Sequence, residues 1–325
     1  MKKWDATAIG EVLIDFTPAG AGAQGNPAYE ANPGGAPANV LAALAKWGRK
    51  TAFIGKVGDD TFGASLRRTL ENCGIDVRGL AVSGEARTTL AFVHLAPDGD
   101  RSFTFYRQPG ADMLLTEAEV PAELAEGSRV FHFGSVSMTH EPSRSATLAA
   151  AARAREAGAL VSYDPNLRER LWGSLDEARE WIRRGLRLAH ALKLSEEELV
   201  FLTGETDLRS GTERLFREFG TRLIVVTLGP NGCYFRLGEA DGRVEGYPVK
   251  AVDTTGAGDS FWAGLLFGLL GHLDAGGTLD TLTEEDVRRM AAFANAAGAL
   301  TTTAPGAIPA LPELEKVREL AGERR

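Results

Sequence analysis

The stretch "VDTTGAGDSFWAGLLFGLL", residues 252–270, joins a glycine-rich polar run to a long apolar segment. The apolar part, Phe261–Leu270, has the length of a globular helix and no polar face, which predicts a helix buried on most sides. Asp259 stands where the loop turns into this helix, among backbone N–H groups that lack intrahelical partners. Two interpretations are open at this point. Asp259 is an N-cap, or Gly256 and Gly258 bare the backbone so that an anion can approach those N–H groups beside a carboxylate.

The composition is that of an ordinary globular protein: 325 residues, 44% hydrophobic and 25% charged. A net charge of −8 argues against general binding to nucleic acid or to an anionic membrane. The two cysteines, Cys73 and Cys233, and the five histidines show no metal-ligand spacing. Free thiols and an N-terminus without a signal-peptide pattern predict a cytoplasmic protein.

Short β-branched or aromatic runs alternate with helical patterns along the chain, which predicts βαβ units and a mainly parallel sheet. The predicted strands are "ATAIGEVLI", "TAFIGKVG", "RVFHFGS", "ALVSYDP", "AHALKLS" and "RLIVVTLG". The predicted helices are Pro37–Trp47, Phe62–Asn72, Ser143–Ala157, Leu175–Leu188, Thr212–Phe219, Ser260–Leu270 and Glu284–Leu300. Ligands of such sheets bind beyond the carboxyl ends of the strands.

Two segments interrupt this alternation. Residues 13–33 are rich in Gly, Ala and Pro, and residues 86–107 have the pattern of a hairpin with "PDGD" as its turn. A period of two places Arg101, Phe103, Phe105 and Arg107 on one face of the hairpin. The segments of about 13–33 and 86–112 are therefore predicted to form a small antiparallel lid over the active edge of the sheet.

Further candidate residues lie at predicted strand ends and helix starts. Each has a plain structural explanation, such as a turn, a helix start or an exposed strand end. They are Asp15, Gly34, Gly35, Asn39, Asp164, Arg168, Lys193, the carboxylates of "SEEE" and the glycine turn "TLGPNG". Together they place two helix starts with glycine-exposed backbone N–H groups, two cations and several carboxylates on one edge of the sheet. This convergence predicts phosphoryl transfer from a nucleotide to a hydroxyl group.

The segments "PGGAPANVLAALAKWG" and "DTTGAGDSFWAGL" resemble the two signatures of the PfkB (ribokinase-like) carbohydrate kinases. The similarity runs over nearly the whole chain. "FIGKVGDDTFG", "FYRQPGADMLLTEAE", "SYDPNLRERLW" and "KLSEEELVFLTG" resemble the fructokinase branch. The resemblance implies one ribokinase-like domain over residues 1–325, a three-layer α/β/α sandwich with a mainly parallel central sheet and a small antiparallel β lid.

The resemblance also implies an ATP-dependent transfer of the γ-phosphoryl group to the 6-hydroxyl of D-fructose. Asp259 would be the catalytic base, the backbone of Gly256, Ala257 and Gly258 would form the anion hole, and Arg168 would face the sugar and the γ-phosphate. The residues that would hold the sugar are Asp15, Gly34, Gly35, Asn39 and Arg107. The residues that would line the ATP site are Lys193, Ser195, Glu198, Thr227, Gly229, Gly232, Gly258 and Asn295. The helix start is also expected to keep Asp259 ionised.

Mg²⁺ and K⁺ are the implied ions. Glu198 would organise Mg²⁺ through water, and Asp253, Thr255 and part of the 301–310 loop would surround K⁺. Ser195 replaces the Asn that the wider family has in an Asn-x-x-Glu motif, a feature of the fructokinase branch. Pairing of the lid with the lid of a second subunit predicts a homodimer.

Two alternatives to a fructokinase remain open. One is a kinase of 2-keto-3-deoxygluconate, ribose or another sugar. The other is a catalytically silent protein that binds sugar or nucleotide and has a regulatory role.

Overall fold

The computed structural model describes residues 2–95 and 101–322, so the predicted turn "PDGD" lies outside the described residues. The strands are β1 Trp4–Ile9, β2 Leu13–Ala21, β3 Pro27–Gly34, β4 Thr51–Gly58, β5 Asp76–Ser83, β6 Leu90–Leu95, β7 Arg101–Tyr106, β8 Ser128–Phe133, β9 Leu160–Tyr163, β10 Ala191–Ser195, β11 Leu223–Thr227, β12 Cys233–Leu237 and β13 Ala240–Val244. The α-helices are α1 Ala36–Lys46, α2 Thr61–Asn72, α3 Ala122–Glu126, α4 Ser143–Glu156, α5 Leu175–Leu186, α6 Glu196–Thr203, α7 Leu208–Phe219, α8 Ala257–Asp274, α9 Glu284–Thr301 and α10 Leu314–Leu320.

Nine strands form the large sheet, in the order β13-β12-β11-β10-β9-β8-β1-β4-β5. The pairs from β5 to β11 are parallel, and only β12 and β13 add antiparallel edges. One apolar core joins the sheet to α1, α8 and α9, and a second joins it to α4, α5 and α7. The predicted three-layer α/β/α architecture is confirmed.

A separate four-stranded sheet has the order β3-β2-β6-β7. β2 pairs with β3 and β6 with β7 in antiparallel fashion, and the two hairpins meet through a parallel pair of β2 and β6. The two segments predicted to form the lid therefore belong to one small sheet. We call this sheet the lid.

The first predicted strand, "ATAIGEVLI", is wrong as a single element, because residues 10–12 divide it between the two sheets. At Gly10 a Cβ atom would lie 2.6 Å from Pro37 Cγ, so the chain must leave the large sheet at a glycine. Asp15 does not close β1 as predicted. It is the third residue of β2, in the lid.

Five of the seven predicted helices lie within a residue or two of the observed bounds, and two do not; α3, α6 and α10 are not among the predicted helices. α7 begins at Leu208 and not at Thr212, because the Asp207 side chain caps it by accepting from Ser210 N. α8 extends over Ala257–Asp274, beyond the predicted Ser260–Leu270. In the described part of the chain, no helix combines the length and the apolar character needed to cross a membrane.

Candidate active site

Two cavities lie side by side at the carboxyl edge of the large sheet. The smaller has a volume of about 310 Å³ and is lined by Asp15, Asn39, Arg168 and Asp259 among others. The larger has a volume of about 700 Å³ and lies beyond β11. Thr254 and Gly258 line both cavities, so the start of α8 is the wall that they share.

The geometry of this wall explains the glycines of "TTGAGD". Gly256 is the N-cap of α8 with φ 75°, and a Cβ atom there would lie 2.8 Å from Ala307 Cβ. Asp259 is the third residue of the helix, so the N-cap interpretation of Asp259 is wrong. N–H groups in a first helical turn have no intrahelical partners, although Ala257 N donates to Thr254 O at 3.2 Å. An anion at this wall would meet N–H donors and the positive end of the helix dipole.

The carboxylate of Asp259 faces the smaller cavity and accepts a hydrogen bond from Asn39 Nδ2 at 2.8 Å. Burial raises the pKa of Asp259 to about 6, although the Asn39 amide lowers it. Burial therefore outweighs any lowering of the pKa by the helix start. The carboxylate is nevertheless mostly ionised at neutral pH. Asn39 Oδ1 is buried and has no hydrogen-bond partner among the described residues, so it can accept from a ligand hydroxyl.

Asp15 lies beside the glycine pair that precedes α1. A Cβ atom at Gly34 would lie 2.1 Å from Asp15 Oδ2, and one at Gly35, where φ is 115°, would lie 2.4 Å from Glu11 O. At Gly35 the backbone of residues 11 and 12 leaves no room for a side chain, and at Gly34 a side chain would displace the carboxylate of Asp15. Burial is the main cause that raises the pKa of Asp15 to about 7; Arg168 opposes this shift and Asp259 adds to it.

A buried ion pair lies under the shared wall. Lys193 Nζ donates to Asp164 Oδ2 at 2.7 Å, and a Cβ atom at Gly258 would lie 3.3 Å from the same Nζ atom. Burial lowers the pKa of Lys193, but the carboxylates of Asp164 and Glu198 outweigh it and raise the pKa overall. The lysine therefore presents a full positive charge beside the first turn of α8.

Arg168 and Asn166 follow β9 and line the smaller cavity. Asn166 has φ 48°, a left-handed conformation that is uncommon outside glycine and is frequent at functional sites. The guanidinium carbon of Arg168 lies 5.8 Å from the centre of the Phe103 ring of the lid. Phe103 and Phe105 both line the cavity, so this face of the lid covers the site.

Arg107, predicted to reach the sugar from the lid, is engaged elsewhere. Its guanidinium is paired with Asp112 Oδ2 at 2.7 Å and donates to Thr139 Oγ1 and Val136 O at 2.8 and 3.1 Å. Both partners of the pair are almost fully buried. Arg107 thus anchors the end of β7 to the body. It does not line the smaller cavity, although its hydrogen-bond partner Val136 does.

The larger cavity contains the predicted nucleotide residues Thr227, Gly229, Gly232 and Asn295. At Gly232, where φ is 88°, a Cβ atom would lie 2.1 Å from Val244 O. Asn295 Nδ2 donates to Val244 O and Glu245 O at 3.1 and 3.0 Å. Asn295 therefore holds the segment that follows β13 against the cavity.

Glu198 and Ser195 form a capping box at the start of α6. Glu198 Oε2 accepts from Ser195 N at 2.8 Å, and Oε1 accepts from Leu167 N at 2.7 Å. Burial and the Asp164 carboxylate raise the pKa of Glu198. Asp164 Oδ1 is buried without a hydrogen-bond partner in the described ranges, which fits a neighbouring hydrated cation.

The loop before α8 and the loop after α9 meet at Asp253. Its Oδ1 accepts from Thr255 N at 2.7 Å and its Oδ2 accepts from Gly306 N at 2.9 Å. Val252 N and Asp253 N both donate to Thr302 O. The predicted K⁺ residues and the 301–310 loop are thus in contact. Within residues 2–95 and 101–322, no group of three or more His, Cys, Asp or Glu side chains could bind a metal ion.

Sequence reasoning missed several residues that line the smaller cavity, among them Glu11 and Asn166. Glu11 follows the first strand without any motif around it, and Asn166 shows its unusual backbone only in the folded chain. It also missed a polar chain in the core, in which Trp262 Nε1 donates to Ser162 Oγ at 2.8 Å and Ser162 contacts His132 Nδ1 at 3.0 Å. This chain fixes α8 to β8 and β9 one turn beyond Asp259.

Comparison with known proteins agrees with this geometry. The family model "pfkB family carbohydrate kinase" matches residues 5–314. "Probable fructokinase-7" of Arabidopsis thaliana is 46% identical over 321 residues, which cover 98% of this chain and 92% of that protein.

Two solved structures are similar over nearly the full chain. The fructokinase of Xylella fastidiosa with bound ATP has a TM-score of 0.90 and 34% identity, with 99% of each chain covered. The fructokinase of Vibrio cholerae O395 with fructose, ADP and calcium ion has a TM-score of 0.88 and 37% identity, covering 98% of this chain and 99% of that one.

Proposed function

Because the chain belongs to the pfkB family of carbohydrate kinases, we propose that it is a fructokinase that transfers the γ-phosphoryl group of ATP to the 6-hydroxyl of D-fructose. The observation that carries this proposal is the pair of cavities that meet at the first turn of α8, with Asp259 facing the smaller one. The near-full-length similarity to fructokinases supports the choice of sugar.

In this proposal Asp259 is the general base. Its carboxylate takes the proton from the acceptor hydroxyl as that oxygen attacks the γ-phosphorus, and the bond to the leaving oxygen of ADP breaks. The hydrogen bond from Asn39 Nδ2 orients the carboxylate. A pKa of about 6 leaves it ionised at neutral pH and basic enough to accept a proton.

The wall between the cavities would stabilise the transferring group. Phosphoryl transfer depends mainly on positioning and on charge stabilisation. Backbone N–H groups of Gly256, Ala257 and Gly258, the ammonium of Lys193 and the guanidinium of Arg168 supply positive potential where negative charge accumulates. In an acidic protein, this local gathering of donors and cations is what allows a nucleotide anion to bind.

ATP would occupy the larger cavity, with Thr227, Gly229, Gly232 and Asn295 along its walls. The buried, unpaired Asp164 Oδ1 and the neighbouring Glu198 fit a hydrated Mg²⁺, and the contact of Asp253 with the 301–310 loop fits a K⁺ site. Mg²⁺ would neutralise charge on the phosphates when bound.

The smaller cavity suits a polyol. Glu11, Asp15 and Asp259 supply carboxylate acceptors on its walls, and Asn39 supplies an amide acceptor. A neutral, hydroxyl-rich ligand would donate to all of them, and Phe103 and Phe105 would exclude water from above. Asp15 and Asn39 would hold the sugar, together with the backbone at Gly34 and Gly35.

The test is ADP release measured across a panel of sugars that includes fructose, ribose, glucose and 2-keto-3-deoxygluconate. We expect the highest kcat/KM with fructose and identification of fructose 6-phosphate as the product. A higher kcat/KM with another sugar would reassign the acceptor. ADP release with none of them would contradict a kinase and favour a silent binding protein, and the Asp259→Asn variant controls for contaminating kinases.

We also propose a homodimer through the lid and a cytoplasmic location. Tyr29 and Tyr106 are 43% and 63% exposed, and the ring of Phe92 lies between them at 5.5 and 5.4 Å. An exposed aromatic row on a four-stranded sheet is a surface that a second subunit would cover. Sedimentation at several protein concentrations would detect the dimer, and Tyr106→Glu should weaken it.

A further inference from the structure

Glu11 is a buried carboxylate at the wall of the smaller cavity, 4% exposed. It lies in the 10–12 segment that carries the chain from β1 to the lid. Its Oε1 accepts a hydrogen bond at 3.0 Å from Ala36 N, the first residue of α1. The N-cap of α1 is Gly35, which has no side chain, so Glu11 caps this helix from another part of the chain.

Capping uses only one of the two carboxylate oxygens. Glu11 Oε2 is buried and has no hydrogen-bond partner among the residues that the structure describes. A buried carboxylate oxygen without a donor is costly, and such atoms are rare in folded proteins unless they serve a ligand. The free energy lost here is recovered if a ligand hydroxyl donates to Oε2.

The electrostatic surroundings agree with a missing donor. Burial raises the pKa of Glu11 to about 7, although the N–H groups of Glu11 itself and of Ala36 lower it. The nearby charges largely offset one another, since Asp112 raises this pKa and Arg107 lowers it. Those two side chains are paired with each other, so the guanidinium of Arg107 is already engaged.

We infer that Glu11 is a substrate-binding residue of this enzyme, whose Oε2 accepts a hydrogen bond from a hydroxyl group of the acceptor sugar while Oε1 holds the start of α1. This inference rests on the proposed sugar kinase activity. It assigns Glu11 a part in sugar affinity and none in proton transfer. The acceptor site then has four side-chain contributors: Glu11, Asp15, Asn39 and Asp259.

The chain offers a variant that separates the two roles of Glu11. In Glu11→Gln the amide oxygen still accepts from Ala36 N, but the second oxygen becomes an NH₂ group that cannot accept. We expect the KM for fructose to rise roughly 10- to 100-fold, because a charge-assisted hydrogen bond is lost. The KM for ATP should stay at its wild-type value, and the midpoint of thermal unfolding should not fall, because the variant removes a buried carboxylate with a raised pKa. Glu11→Ala should lose the cap as well, and so should lower the midpoint.

The assay pairs steady-state kinetics with calorimetric binding of fructose in the absence of ATP. It is repeated with fructose analogues that each lack one hydroxyl group. We expect one analogue to bind wild type and Glu11→Gln equally well, because it lacks the hydroxyl that donates to Glu11.

Unchanged fructose affinity in Glu11→Gln would overturn the inference and leave Glu11 as a helix cap. A loss that is the same for every analogue would also overturn it, since it would indicate a general distortion. A wild-type protein that phosphorylates no sugar would instead contradict the proposed function itself.

Discussion

Asp259→Asn should separate catalysis from stability. Removal of a general base typically lowers kcat by roughly 10²- to 10⁴-fold. The pKa of Asp259 is raised from 3.8 to about 6, and each unit corresponds to about 1.4 kcal/mol. The ionised carboxylate therefore lowers the free energy of unfolding by at most about 3 kcal/mol at neutral pH. Asn has the same shape and can still accept from Asn39 Nδ2, so the variant should be at least as stable as wild type.

The sign of the pH dependence follows from the direction of this shift. A carboxyl group whose pKa is raised by folding destabilises the fold at every pH at which that group is ionised in the unfolded chain. The penalty begins near pH 4 and is complete above about pH 6. The advantage of Asp259→Asn should thus be largest at pH 7 and vanish as the pH falls from 6 to 4. In wild type, kcat/KM should fall as the pH drops below about 6.

The assay combines urea unfolding at pH 7, 5 and 4 with initial rates of ADP release. Asp280→Asn is the matched control, because its carboxylate side chain is 86% exposed and lines neither of the two cavities. A near-normal kcat in Asp259→Asn would refute the assignment of the base. If the variant is less stable than wild type at pH 7, this would refute the claim that burial, and not hydrogen bonding or ion pairing, decides the pKa shift of Asp259.

Two further predictions concern the shared wall and the lid. Gly256→Ala should lower kcat by about 10²-fold, as expected for a displaced anion-hole donor, because its Cβ would lie 2.8 Å from Ala307 Cβ; wild-type kcat would contradict the role of this backbone. Arg107→Ala leaves Asp112 buried without its partner, so it should lower the free energy of unfolding by about 3–5 kcal/mol and increase ATP hydrolysis in the absence of sugar. The double variant Arg107→Ala, Asp112→Ala should recover much of the stability. An unchanged ratio of ATP hydrolysis to sugar phosphorylation in Arg107→Ala would contradict a lid anchored by Arg107.

The sequence predicted the architecture well because βαβ units have strong periodic signals. The apolar α8 and the strand of residues 51–58 show this directly. β5, β12 and β13 were missed; the mixed polar sequence of β13, Ala240–Val244, carries no alternation. The break at residues 10–12 was missed because both flanking runs are apolar, and only the approach of Pro37 to Gly10 shows why the chain must turn.

The site was predicted where a residue lies in a local motif, and was missed where tertiary contacts decide. Gly256 and Asp259 lie in one continuous stretch that marks a helix start. Glu11 lies in no recognisable pattern, and its position on the cavity wall depends on α1 packing against residues 10–12. The partner of Arg107 could not be inferred from the period of its strand, because Asp112 approaches it through the loop that follows β7.

The wall between the two cavities is thin, since Thr254 and Gly258 face both sides of it. A single molecule that joins a fructose-like polyol to adenosine through a phosphate chain could therefore occupy both compartments at once. Binding of one half would hold the other at a high effective concentration, and the combined affinity would exceed that of either half alone. The thin wall at which the phosphoryl donor and acceptor would meet therefore also indicates how a bisubstrate inhibitor of this kinase could be designed.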